Sequence, residues 1–153
     1  MPNQSLIAHS IEIEAPAARV WAIVSDLKRM GEWSPQCVSM KVFGGEVKQG
    51  ARTLNLNRQG WKRWPTNARV VDFEPDHRLS FRILENRTVW SFELEPTATG
   101  TRLTESRHTP RGVAAISNAA VKGLLGGVEE FEQELDAGIR QTLERIKSEA
   151  ERV

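Results

Sequence analysis

No tyrosine occurs among the 153 residues, and Cys37 is the only cysteine. With no phenol available, a general acid would have to come from Glu, Asp, His or Arg. A single thiol excludes an intrachain disulfide and a multi-cysteine zinc site, and makes a reducing, cytoplasmic location the default expectation. Cys37 itself is expected to be a small strand residue, not a nucleophile. Neither sign of charge dominates, with 21 Lys plus Arg against 20 Asp plus Glu. That balance argues against a dedicated nucleic-acid binder, which would carry a strongly basic domain. A local cluster, Arg58, Lys62, Arg63 and Arg69, reads either as the solvated face of a hairpin or as a contact for an acidic partner. No apolar run reaches the roughly 18 residues of a membrane span, so no integral membrane association is expected. The opening MPNQSLIAHSIEIEA lacks the basic-then-apolar order of a signal peptide.

Several chemical motifs are missing as well. His9, His77 and His108 are scattered without metal-ligand spacing. There is no G-x-S-x-G elbow, and GGEVKQG and GLLGG match neither the phosphate loop nor the dinucleotide fingerprint. No metal and no cofactor are expected.

What is present is a run of strands between helical ends. Residues 5–14 alternate, with Leu6 and Ala8 on one face and Ile7, Ile11 and Ile13 on the other, and the slip between them predicts a bend or bulge. After Pro16, Val20, Ile23, Val24 and Leu27 recur at helical spacing. Ser25-Asp26 can cap a second short helix over Leu27–Met30, which Gly31 would end. Three hairpins follow: CVSMKVFGG with ARTLNLNRQ, WPTNARVVDF with RLSFRIL, and TVWSFELEP with TRLTESRHT. Pro75 in the EPDH connection predicts a type I turn. With the first strand this makes about seven, joined by short turns that require antiparallel neighbours.

From Gly112 onward the pattern is helical, with Leu124, Val128, Phe131, Leu135, Ile139, Leu143 and Ile146 on one stripe and Glu, Gln, Arg and Lys opposite. A straight helix over 112–150 would be roughly 58 Å long. A domain of this size is only about 40 Å across. A break is therefore expected near Gly126, with a short helix or loop over 113–123 and a straight helix over about 128–150.

Strand, two short helices, six antiparallel strands and a long C-terminal helix is the order of the helix-grip fold. Through EAPAARVWAIVSDLKRMGEWSP, VVDFEPDHRLSFRI, WSFELEPTATGTRLTE and GIRQTLERIKSEAE, the chain resembles the START-related superfamily, in its polyketide cyclase/dehydrase and lipid-transport branch. The resemblance spans nearly the whole chain as one domain, residues 1–153. It implies an α+β fold in which a curved seven-stranded antiparallel sheet wraps the C-terminal helix, with an apolar cavity between them. Binding or transport of a small hydrophobic ligand (a lipid, polyketide or aromatic metabolite) follows, by a monomer or homodimer. The alternative is a polyketide cyclase/dehydrase-type enzyme acting in the same cavity. Cyclase members use a cavity tyrosine or arginine for proton transfer or substrate placement. Lacking tyrosine, this chain favours the non-catalytic reading.

Candidate ligand contacts follow from strand alternation and from the resemblance. Thr88, Trp90, Phe92 and Leu94 share one strand face, as do Leu79, Phe81 and Ile83. Thr101, Leu103, Glu105 and Arg107 share another. If Leu103 points inward, Glu105 and Arg107 do too, and Glu105 with an arginine partner would anchor a ligand or, in an enzyme, serve catalysis. If the strand twists outward past Leu103, both are solvated. In LNLNRQGWKRW, hydrophobicity alone turns Leu54 and Leu56 inward, whereas the resemblance turns Asn57 and Trp64 toward the cavity; the second register is adopted. Leu124, on the helix stripe, completes the candidate set with Trp33. In the family, the Trp33 loop lies at the cavity rim, where its tryptophan can close one end; the other reading is that Trp33 plugs the core.

Overall fold

A computed structural model describes the backbone of residues 6–109 and 128–152 and the side chains of 6–109 and 132–152. Strand β1 spans Leu6–Ile13 and is followed by helix α1, Ala17–Val24. A 3₁₀ turn over Leu27–Arg29 leads directly into the short helix α2, Met30–Trp33. Six strands come next: β2 (Cys37–Val42), β3 (Arg52–Gln59), β4 (Lys62–Glu74), β5 (Arg78–Ile83), β6 (Val89–Pro96) and β7 (Thr101–His108). Helix α3, Val128–Glu151, ends the described chain. The strands form one antiparallel sheet in the order β1-β7-β6-β5-β4-β3-β2. The fold is therefore α+β, with the three expected hairpins and β1 laid against β7.

Alternation explains which face turns inward. Leu79, Phe81 and Ile83 on β5, Phe92 and Leu94 on β6, and Thr101 and Leu103 on β7 are all buried. Register shifts between Cys37 and Ser39 and between Val70 and Asp72 mark bulges, which bend the strands that carry them. Helix α3 packs its stripe of Leu135, Ile139, Leu143 and Ile146 into this concavity, and α1 adds Val20, Ile23 and Val24. Polar contacts fasten α3 along its length: His9 Nε2 and Asp136 Oδ1 lie 2.7 Å apart, and Lys147 donates to the Glu12 carbonyl at 2.7 Å.

Four local expectations need correction. β1 contains no bulge: its register against β7 runs unbroken from Leu6↔His108 to Ile13↔Thr101. The slip in its pattern arises because His9 occupies an inward position to reach Asp136, while Leu6 is 55% exposed. Gly31 does not end its helix, which continues to Trp33. A Cβ there would sit 2.6 Å from the Val38 carbonyl oxygen, so glycine is needed for close approach of backbone to backbone. Asp26 makes no side-chain capping bond. In the β4–β5 turn His77 N–H donates to the Glu74 carbonyl, but Asp76 has φ +67°, a sign that suits a type II turn and not type I. The expected short helix over 113–123, the break near Gly126 and Leu124 lie outside the described residues.

Candidate functional site

Between the sheet and α3 lies a cavity of about 150 Å³. Its floor is apolar: Phe81 and Trp90 from the sheet, Met30 and Met40 from one side, Leu135 and Ile139 from α3. Polar groups stand at two opposite ends. At one end, β3 and β4 present Asn55, Asn57, Trp64 and Thr66; at the other, β7 presents Glu105 and Arg107.

The first polar end depends on the register of β3. Thr53 and Asn55 are buried, while Leu54 and Leu56 are 40% and 36% exposed. Asn57 and Trp64 are cross-strand neighbours, as are Asn55 and Thr66. The inward register is therefore the polar one. The inward groups bond to one another: Thr53 Oγ1 donates to Asn55 Oδ1 (2.8 Å), Asn57 Nδ2 donates to Thr66 Oγ1 (2.9 Å) and to the Trp64 carbonyl (3.2 Å). Thr66 Oγ1 also accepts from Asn55 Nδ2 at 3.3 Å. An oxygen that accepts two amide protons keeps its own proton for a third partner.

At the second end the strand does not twist outward. Glu105 and Arg107 are each 5% exposed. Arg107 donates through two nitrogens to Glu132 of α3, at 3.0 and 2.8 Å. Among the described residues, Glu105 Oε1 has no partner. Burial then pushes the Glu105 carboxyl well above the usual carboxylate range, favouring its neutral form. Cys37, also on the wall, is pushed up to about 11 by burial and stays a thiol.

The raised carboxyl predicts a pH effect on stability. Below the ordinary value of 4.5 both folded and unfolded chains hold the proton. Above it the unfolded chain loses the proton first, so stability falls as pH rises, by about 1.4 kcal/mol per unit until the folded carboxyl ionises. Glu105→Gln should remove this slope in urea denaturation run at a series of pH values. Parallel curves for the two proteins would mean that Glu105 is ionised in the fold.

Of the sequence-chosen residues, Asn57, Trp64, Phe81, Trp90, Glu105 and Arg107 are together on the cavity wall. Phe92 is 1% exposed and packs in the core behind it. Trp33, 3% exposed, is also a core residue. The Arg29 guanidinium lies over its ring at 4.7 Å, and Arg145 donates to its carbonyl at 3.4 Å. This explains how a loop-like stretch holds a tryptophan: Arg29 covers it. Asn55 and Thr66 were missed, although each lies two residues from a chosen one on the same strand face. Leu135 and Ile139 belong to the stripe already recognised. Gln36 reaches the wall because Gly138 leaves room on α3, and it donates to the Glu134 carbonyl at 2.9 Å. Among the basic cluster, Arg58 donates to the Pro35 carbonyl at 2.8 Å and Arg63 to Gly60 and Lys62 carbonyls. Among the described residues no group of three His, Cys, Asp or Glu could hold a metal, and no helix is long and apolar enough to cross a membrane.

A cavity enclosed by a sheet and a C-terminal helix, apolar with polar ends, agrees with a family match over residues 6–151, to the family described as polyketide cyclase/dehydrase and lipid transport. The chain belongs to this family. Among solved structures of similar fold is the polyketide-cyclase-like protein Cgl2372 of Corynebacterium glutamicum. It is 31% identical, with 96% of this chain and 91% of that chain covered and a TM-score of 0.66. The Zhui aromatase/cyclase of Streptomyces sp. R1128 is 18% identical, with 96% and 93% covered and a TM-score of 0.69. BexL, a di-domain aromatase/cyclase from the BE-7585A biosynthetic pathway, matches at 20% identity and a TM-score of 0.74, with 97% of this chain and 50% of BexL covered. These last two likenesses concern the fold. No curated protein matches the sequence.

Proposed function

We propose that this protein binds and carries a small hydrophobic molecule, of the lipid, polyketide or aromatic-metabolite kind, between its sheet and α3. The observation that supports this reading is the cavity itself: an apolar floor with a few convergent polar groups is the usual form of a small-molecule site. The lone, neutral thiol suits work in the reducing cytoplasm. A second reading, cyclisation or dehydration of a polyketide-like substrate, is favoured by one specific feature. Glu105 is a buried acid that retains its proton beside the cavity, as a general acid must.

Native mass spectrometry of protein purified from its own host should find a co-purifying small molecule. One- and two-ring aromatic compounds should also quench tryptophan emission saturably at micromolar concentration. Trp90→Ala should weaken that binding up to about tenfold, the value of an aromatic contact. Trp61→Ala should leave it unchanged, because Trp61 is 85% exposed at the β3–β4 tip. Failure of every compound in a broad panel to bind would remove the carrier reading. If the protein is an enzyme, Glu105→Gln should abolish turnover while binding persists.

A further inference from the structure

The cavity wall carries one acid whose position the packing alone would fill better with an apolar residue. Glu105 is 5% exposed, lines the cavity opposite Phe92 of β6, and among the described residues has no partner for Oε1. A buried polar atom left unpaired is costly, so its position calls for a partner. Among the described residues, the basic groups around it are already engaged. Arg107, two residues along the same strand face, is held by Glu132. His9, directly opposite Glu105 on β1, is held by Asp136. Glu105 therefore remains available to a molecule in the cavity.

We infer that Glu105 is a neutral hydrogen-bond donor that recognises an uncharged carbonyl oxygen on an aromatic ligand, and so determines which molecules the cavity accepts. The inference rests on the ligand-binding reading above. Charge limits the ligand first. A cation beside Glu105 would be stripped of water with no opposite charge facing it, since a neutral carboxyl carries none. An anion would be buried where, among the described residues, Arg107 is already held by Glu132 and His9 by Asp136. Shape limits it next. About 150 Å³ suits a single ring in the enclosed part, and Phe81 and Trp90, direct cross-strand neighbours, supply flat apolar walls. Hydrogen bonding completes the selection. A protonated carboxyl offers one O–H, which a carbonyl accepts and an alkyl group of the same outline leaves unsatisfied.

Acetophenone, ethylbenzene and 1-phenylethylamine share one skeleton and separate these cases. In calorimetric titrations of the intact protein, acetophenone should bind about tenfold more tightly than ethylbenzene. The carbonyl stretching band of bound acetophenone should move to lower frequency, as it does when the oxygen accepts a hydrogen bond. Glu105→Gln keeps an N–H donor and should retain most of the preference. Glu105→Leu should equalise the two affinities and remove the band shift. Equal binding of acetophenone and ethylbenzene by the unaltered protein would overturn the donor role while leaving the ligand-binding reading intact. Preference for the amine would overturn it too, since it would require an ionised Glu105. If none of the three binds, the inference is overturned, whereas the ligand-binding reading falls only if the broad panel fails as well. The comparison within the unaltered protein stands even if a variant does not fold.

Discussion

Arg107→Met should destabilise the protein by about 3–5 kcal/mol, the cost of breaking a buried ion pair by removing one partner. Arg107 is 5% exposed, and the side chain of Glu132 12%. Their two-point contact, at 3.0 and 2.8 Å, leaves neither charge a ready route to water once the other is gone. Exposed pairs such as Arg102 with Glu12 are worth far less, because water screens them. Burial is what separates the two cases. Replacing both members, Arg107→Met with Glu132→Met, should recover most of the loss, because two apolar side chains leave no charge to solvate. Urea denaturation of both singles and the double tests this. A loss below about 1 kcal/mol for Arg107→Met would show that Glu132 finds water unaided.

A second large effect separates the two parts of the α3 stripe. Ile146 is fully buried, whereas Ile139, 2% exposed, has the cavity along one flank. Ile146→Ala should cost about 4 kcal/mol, within the range of about 2–5 for such truncations. Ile139→Ala should cost about 2 kcal/mol, since atoms bordering a void have fewer partners to lose. The truncated Ile139 should also admit a bulkier ligand. Chemical denaturation of both variants decides the point, and equal losses would mean that Ile139 is packed on every side.

Much of this arrangement was legible because apolar residues repeat at the right periods. The β5–β6 alternation put Phe81 and Trp90 on inward faces, the β7 alternation left Glu105 and Arg107 either inward or solvated, and the 3.6-residue spacing identified Leu135 to Ile146. Hydrophobicity misleads where the cavity needs polar groups. In β3 the leucines face outward and Thr53 and Asn55 inward, and only the family resemblance gave the correct register. His9 disturbed the β1 pattern for a similar reason: a polar side chain occupied an inward position for the sake of a partner distant in sequence. Arg107's partner escaped notice because Glu132 was counted with the polar face of the helix. Seven residues before Ile139, it falls on the apolar stripe itself, and a charge in that phase is the signal that was available. Gly31 misled because glycine both ends helices and permits close approach, and sequence spacing does not tell these apart.

The pairing of β1 with β7 also sets an order of assembly. The other strands sit beside sequence neighbours as hairpins, which form in about 1–10 μs. β1 pairs only with β7, so it waits for nearly the whole sheet to be synthesised. With roughly a hundred residues still to come at about 5–20 per second, the wait on the ribosome is about 5–20 s. During that interval Leu6, Ile7, Ile11 and Ile13 form an unpaired strand able to join a neighbouring chain. His9, Ser10 and Glu12 interrupt the apolar residues and so act as gatekeepers against such pairing. The side chains that bond to α3 (His9) and to β7 (Ser10 and Glu12) in the finished protein thus also protect β1 while it is still alone.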